Sequence, residues 1–247
     1  MVGTLFWSLA VLAAVFTGMS KGGLPAFSML AVPVLSLVIS PVTAAGLLLP
    51  VFLFSDIFGV WAYRREFRYD LIKISAVGTI LGCTVGWATA EVVSENLVRL
   101  LIGMIGAIFA LNYLLYRKTD AAPRPPTWVG GIIWTSVAGF TSFVSHAGAP
   151  PWQIWVMPLG LTKMVFAGTT TIVFAMMNLT KIVPYYFLGQ FDLQNLRVAM
   201  LLLVPALLGV YIGYFLIRVL PDKFFFDVVT WALLAISCKL ILDGVLG

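Results

Sequence analysis

Ser20-Lys21-Gly22-Gly23-Leu24-Pro25 interrupts an apolar run, and 125 positions later the chain reads Ser145-His146-Ala147-Gly148-Ala149-Pro150. Ser20 matches Ser145, Gly23 matches Gly148, Pro25 matches Pro150, and further on Pro33 matches Pro158. A cationic or protonatable residue follows the serine both times. Small residues then lead into a proline suited to the first turn of a new helix. Both stretches read as breaks between helices, and their recurrence divides the chain into two related halves.

The sequence around the breaks is that of a membrane protein. Of 247 residues, 61% are hydrophobic and only 10% charged, with a mean hydropathy of +1.04. A soluble domain carries roughly a quarter charged residues. Apolar stretches at about 4–19, 24–39, 42–63, 71–90, 97–116, 128–144, 149–160, 164–188, 196–218 and 224–246 are separated by short polar breaks. No ten-residue alternation is present, so helical spans are expected rather than a barrel. The stretches flanking the breaks fall short of the about 20 residues that a span needs, and the sequence leaves open whether they cross fully or turn back. The N-terminal Met1-Val2-Gly3-Thr4 has no charged leader pattern, so the first stretch reads as mature protein. Cys83 and Cys238 lie in apolar segments and suggest neither a disulfide framework nor a metal site.

The expected fold is an all-α polytopic membrane protein. A first repeat, 1–116, and a second, 128–247, flank a charged, proline-rich linker at 117–127. Each repeat is a broken helix pair followed by three full transmembrane helices. Gly82 and Gly86 correspond to Gly209 and Gly213, a small-xxx-small spacing that lets helices approach closely. Phe67, before a polar loop, corresponds to Phe191.

Loop charge orients the repeats. With the Arg64–Lys73 loop cytoplasmic, Arg64, Arg65, Arg68, Lys73, Arg117, Lys118, Arg124, Lys163, Arg218 and Lys223 all fall inside, while Arg99, Arg197 and Lys239 fall outside. That bias follows the positive-inside rule. The net charge of +5 is accordingly read as facing an anionic leaflet, not nucleic acid. The corresponding loop of the second half, 189–195, carries no positive charge, as expected if it faces the other side. The halves therefore read as inverted repeats, a build of secondary transporters with the site at the repeat interface.

Unwound backbone at membrane depth is tolerated only inside protein or along a watery cavity. A helix N-terminus offers free amides and the positive end of its dipole to an anion. Two breaks facing each other would thus suit a small oxyanion. The expected binding groups are Lys21 and His146, the amides of Gly22, Gly23, Gly148 and Ala149, and the hydroxyls of Ser20 and Ser145. Trp152 would wall the site, or simply pack. The alternative is that the flanking segments are ordinary short spans, with Lys21 and His146 solvated at opposite surfaces.

Asp56 and Lys181 occupy nearly equivalent depths in the third and eighth stretches, with Asn178 one turn before Lys181. Ionisable groups at such depth face a bundle interior. They would gate or couple transport, or they would form an Asp56–Lys181 ion pair that holds the halves together. No nucleotide-binding loop and no second histidine are present, so neither an enzyme, a cofactor nor a metal is expected.

These residues resemble the TauE/SafE family, the sulfite exporter and 4-toluene sulfonate uptake permease family. The resemblance rests on Gly18-Met19-Ser20-Lys21-Gly22-Gly23, Pro33 and Tyr63-Arg64-Arg65 in the first half. In the second half it rests on Gly139-Phe140-Thr141-Ser142-Phe143, His146-Ala147-Gly148-Ala149-Pro150-Pro151, Ala167-Gly168-Thr169 and Gly189-Gln190-Phe191-Asp192. Many relatives carry glycine-rich runs at both breaks, from which Lys21 and His146 depart. The resemblance implies a secondary transporter of a small sulfur-containing anion in a bacterial inner membrane, and coupling to protons is expected alongside it. Its partners would be that anion and the bilayer, with a homodimer left open. The rivals are another cargo, such as a carboxylate, and a non-transporting membrane scaffold or assembly factor.

Overall fold

The computed structural model describes residues 3–39, 41–90, 94–115, 123–189 and 193–246. Residues 117–122 of the linker and Phe191, matched to Phe67, lie outside them. Among the described residues the chain is helical with no strand. Its elements are α1 (Thr4–Lys21), α2 (Ser28–Leu35), α3 (Pro41–Ala62), α4 (Tyr69–Ala88), α5 (Glu95–Leu115), α6 (Trp128–Ser145), α7 (Ala149–Val156), α8 (Lys163–Phe187), α9 (Leu193–Val219) and α10 (Asp222–Leu246). Six stretches are long and apolar enough to cross a membrane: Thr4–Lys21, Thr43–Ala62, Tyr69–Ala88, Lys163–Phe187, Asn195–Val219 and Asp222–Leu246.

The two breaks fall where the sequence puts them. α1 stops at Lys21, and a 3-10 turn at Pro25–Phe27 precedes the eight-residue α2. α6 stops at Ser145, and the eight-residue α7 runs into a 3-10 turn at Met157–Leu159. Gly23 has φ 117°, a backbone that only glycine adopts without strain. At the second break His146 has φ 55°, the one non-glycine residue at positive φ among those described. Its left-handed conformation closes α6 with His146 N–H on Ser142 O and Ala147 N–H on Thr141 O.

The two ends of each short hairpin are linked, by a shared apolar cluster in the first and by a backbone hydrogen bond in the second. Phe6 and Trp7 of α1 join one apolar cluster with Val34, Val38 and Ile39 around the end of α2. Arg124 N–H, four residues before α6, donates to Pro158 O just beyond α7 at 3.0 Å. The basic end of the bundle is tied together similarly. Arg68 N–H donates to Thr169 Oγ1 at 3.0 Å, and Lys163 reaches Leu220 O and Asp222.

Most of the packing couples one half of the chain to the other. α4 packs on α6, α1 on α9, α5 on α10 and α3 on α8. Small residues set the first two contacts. A Cβ added to Gly82 would lie 2.0 Å from Ser136 O, and one added to Gly18 would lie 1.9 Å from Ala206 O. Gly209 faces Val15 and Met19, and Gly213 faces Met19 and Gly22. Polar backbone thus touches polar backbone, with no side chain between, as expected where lipid removes the hydrophobic drive for helix association. Large apolar side chains on α4, α9 and α10, such as Ile80, Leu201, Val204 and Trp231, point outward. Trp61 and Trp128 lie exposed at helix ends, whereas Trp152 and Trp155 are buried.

Gly82→Ala should therefore lower stability by about 1–3 kcal/mol, the usual cost of overpacking a close contact. Gly3→Ala should be neutral, since nothing lies within 4 Å of its added Cβ. Thermal melting of the purified variants in detergent checks both.

Candidate functional site

Each break delivers its polar residues into the protein, where α3 and α8 meet them. Along α8, Thr170, Thr171, Phe174, Asn178, Lys181 and Tyr185 recur at three- and four-residue spacing and are all buried. Along α3, Phe52, Asp56 and Gly59, with Tyr63 just past its end, follow the same spacing, and Phe52, Asp56 and Tyr63 are buried. Helical periodicity thus puts each set on one face, and the two faces oppose each other.

Lys21 is 2% exposed. Its Nζ lies 2.8 Å from Asp56 Oδ1, and Asn178 Nδ2 donates to Asp56 Oδ2 at 2.7 Å. The Lys21 carbonyl accepts from Thr171 Oγ1 at 3.3 Å. The ion pair of Asp56 therefore runs to Lys21, and the Asp56–Lys181 pair weighed from the sequence is not formed. Depth along matched helices misleads here, because Lys21 lies at the end of α1 and reaches the same level. Lys181, fully buried, donates to Ser142 Oγ at 2.7 Å. Among the described residues it has no carboxylate partner.

His146 is also buried. Its Nε2 lies 3.3 Å from Tyr185 Oη, which in turn donates to Phe143 O at 3.1 Å. Its ring stacks on Phe52 at 5.4 Å and 11°, and Lys21 Nζ lies 5.2 Å from the centre of the same Phe52 ring. Phe174 likewise reaches both breaks: its centre is 5.8 Å from Lys21 Nζ, and a Cβ on Gly148 would lie 3.3 Å from it. The reading of Lys21 and His146 as solvated at opposite surfaces is thereby excluded. The two breaks come together across Phe52 and Phe174.

The other expected contacts are less direct. Ser20 Oγ donates to Thr17 O at 2.7 Å, within its own helix. Gly22 N–H donates to Gly18 O at 2.9 Å, so it is not free for a ligand. Among the described residues, Gly23 and Gly148 N–H make no backbone hydrogen bond, and Ala149 starts α7, where an N–H has no partner within the helix. Ser145 ends α6, and its side chain lies outside those described. Trp152 is fully buried and donates its indole N–H to Thr170 Oγ1 at 2.8 Å, so it fixes α7 against α8. The space around Ser20, Lys21, Pro25, Ser28, Thr170, Thr171 and Phe174 is about 10 Å³, room for no more than about one water.

Tyr63, read from the sequence only as part of a family motif, was not expected at the site. It is fully buried, and its hydroxyl donates to Gly22 O at 2.5 Å, pinning the first break to the end of α3. Phe52, Phe174, Ser142 and Tyr185 were also missed as site residues. The three- and four-residue spacing of Asn178, Lys181 and Tyr185 on an apolar helix is the signal that could have found Tyr185. Gln153 on α7 is fully buried, and among the described residues neither of its amide atoms has a hydrogen-bond partner.

Removing one partner of a buried ion pair leaves an uncompensated charge. Lys21→Met and Asp56→Asn should each cost about 3–5 kcal/mol, and the double variant should recover most of it. Melting temperatures of the three proteins check this. Equal additive losses would show that the pair does not form.

Neither curated proteins nor solved structures gave a match to this chain. The family model described as Sulfite exporter TauE/SafE matches residues 10–240. It covers both breaks, all four facing helix pairs and every residue of the buried cluster, and the chain belongs to the TauE/SafE family of membrane transporters.

Proposed function

We propose that the protein is a proton-coupled secondary transporter of a small sulfur oxyanion, sulfite or a sulfonate such as sulfoacetate, bound between the two breaks. The family supports a sulfur anion as cargo. The observation that carries the site is the charge balance of the buried cluster. Two lysines, Lys21 and Lys181, stand against one carboxyl group, Asp56, all at most 5% exposed. A net positive charge in a dry interior is costly unless something negative offsets it. A bound oxyanion beside Lys181, with Gly23, Gly148 and Ala149 amides and His146 nearby, would do so.

The pairing of helices supports inverted repeats. Matching α1 with α6, α3 with α8, α4 with α9 and α5 with α10 turns the α1–α9 contact into the α6–α4 contact. It leaves α3–α8 and α5–α10 unchanged. Both broken pairs then turn back within the bilayer, one from each side, as the links between their two ends suggest. The basic end, with Arg64, Arg68 and Lys163, faces the cytoplasm of a bacterial cell.

Coupling follows from the ion pair. A proton arriving on Asp56 neutralises the carboxylate and releases Lys21, so that both lysines become available to the anion. Proton and anion then bind together. Phe52 and Phe174 separate Lys21 from the second break, and the first break encloses room for about one water, so the described state is closed at that break. Opening requires these rings to move.

In proteoliposomes, sulfite or sulfoacetate flux should exceed that of acetate and phosphate and should rise with an inward proton gradient. Asp56→Asn, a permanent mimic of the protonated acid, should retain flux per folded molecule but lose its dependence on the gradient. Preference for acetate would point to a carboxylate cargo. No flux of any anion would favour a scaffold.

A further inference from the structure

A separate cavity of about 220 Å³ opens at the end of the bundle opposite Arg68 and Lys163. The end of α2 (Val32, Pro33, Ser36, Leu37), Arg99 at the start of α5, and Lys239, Leu240 and Asp243 near the end of α10 form its wall, together with Ala147, which follows His146. Two cations and one carboxylate line it. Lys239 pairs with Asp243 one turn away, and both side chains are about half or one-third exposed, at 46% and 34%. Cavity, charge and proximity to the second break coincide here. An adjoining apolar groove of about 180 Å³ lies between Ala26, Phe27 and Leu30 on one side and Ala232, Ala235 and Ile236 on the other, and Lys239 lines it too.

We propose that this cavity is a second oxyanion site, in which Arg99 and Lys239 hold an anionic head group apart from the Lys21–Asp56–Lys181 cluster. Its volume exceeds that of the crevice at the first break by more than an order of magnitude. It would receive anions at the opposite face while the buried cluster stays closed, and that role as a loading site rests on the transport reading. The binding chemistry itself does not. The same head-group chemistry exists in a soluble sulfur or phosphorus oxyanion and in an anionic phospholipid, whose acyl chain would lie in the apolar groove. Asp243 competes with either ligand for Lys239.

The test is the thermal shift of full-length protein in phosphatidylcholine nanodiscs. It is titrated with sulfate or, separately, by replacing part of the lipid with phosphatidylglycerol. Sulfate should stabilise the wild type. In a Lys181→Gln background the remaining sulfate effect should disappear with Arg99→Gln/Lys239→Gln and survive with Lys239→Arg. Asp243→Asn should lower the half-saturating sulfate concentration by roughly two- to fivefold, the factor released by breaking a partly exposed pair. Stabilisation by phosphatidylglycerol that Ala235→Trp abolishes, without altering the sulfate response, identifies a lipid as occupant of the same site. If Arg99→Gln/Lys239→Gln changes neither response in a protein that melts normally, or if Asp243→Asn weakens binding, the proposal is overturned. If Lys181→Gln leaves sulfate binding intact while Arg99→Gln/Lys239→Gln removes it, the central site fails and this one stands.

Discussion

The structure depends on how charge is held where water is absent. Lys21, Asp56 and Lys181 are buried among helices apolar enough to cross a membrane, and an ion held away from water must be paired or offset. The Lys21–Asp56 pair meets this demand and joins the end of α1 to α3. Asn178 extends the join to α8 through the second carboxylate oxygen. The first break thus stays fixed although its backbone is unwound. Tyr63 on Gly22 O and Thr171 on Lys21 O satisfy carbonyls that α1 leaves open at its end. Lys181 is the exception, with a serine hydroxyl in place of a carboxylate.

Close helix contacts serve the same arrangement. Gly18, Gly22, Gly209 and Gly213 bring α1 against α9, while Gly78, Gly82 and Gly86 bring α4 against α6. These contacts hold the two broken pairs from outside. α3 and α8 run between them and carry the polar face. The glycine contacts thus lie on α1, α4, α6 and α9, while most of the polar cluster lies on α3 and α8, joined by Lys21 of α1 and Ser142 of α6. This division lets α3 and α8 carry costly polar groups while glycine contacts elsewhere hold the bundle together.

Much of the fold was legible because hydropathy reads directly as helix length and because glycine and proline mark breaks. Among the described residues each of the ten apolar stretches reappears as an α-helix with boundaries shifted by a few residues, and both breaks lie at the serine-led motifs. The meeting of Lys21 and His146 at one phenylalanine ring follows the motif repeat. What could not be read was pairing. Lys181 and Asp56 have matched sequence depth, but a partner is chosen by three-dimensional reach, and Lys21 arrives from a helix end. Gly22 was expected to offer an amide to a ligand, yet the helix continues one residue further and takes it. Tyr63 looked like the polar end of a span, and only folding shows it turned inward onto the break.

The measurement that tests the central claim most directly is sulfite affinity of Lys181→Gln, with Lys181→Arg as its charge-preserving control, by titration calorimetry in detergent. A charge-assisted contact contributes about 1.5–3 kcal/mol, so the glutamine variant should bind roughly ten- to a hundredfold more weakly, with the arginine variant close to wild type. Wild-type affinity in Lys181→Gln would contradict the account, since the surplus buried cation would then have nothing to do with the anion.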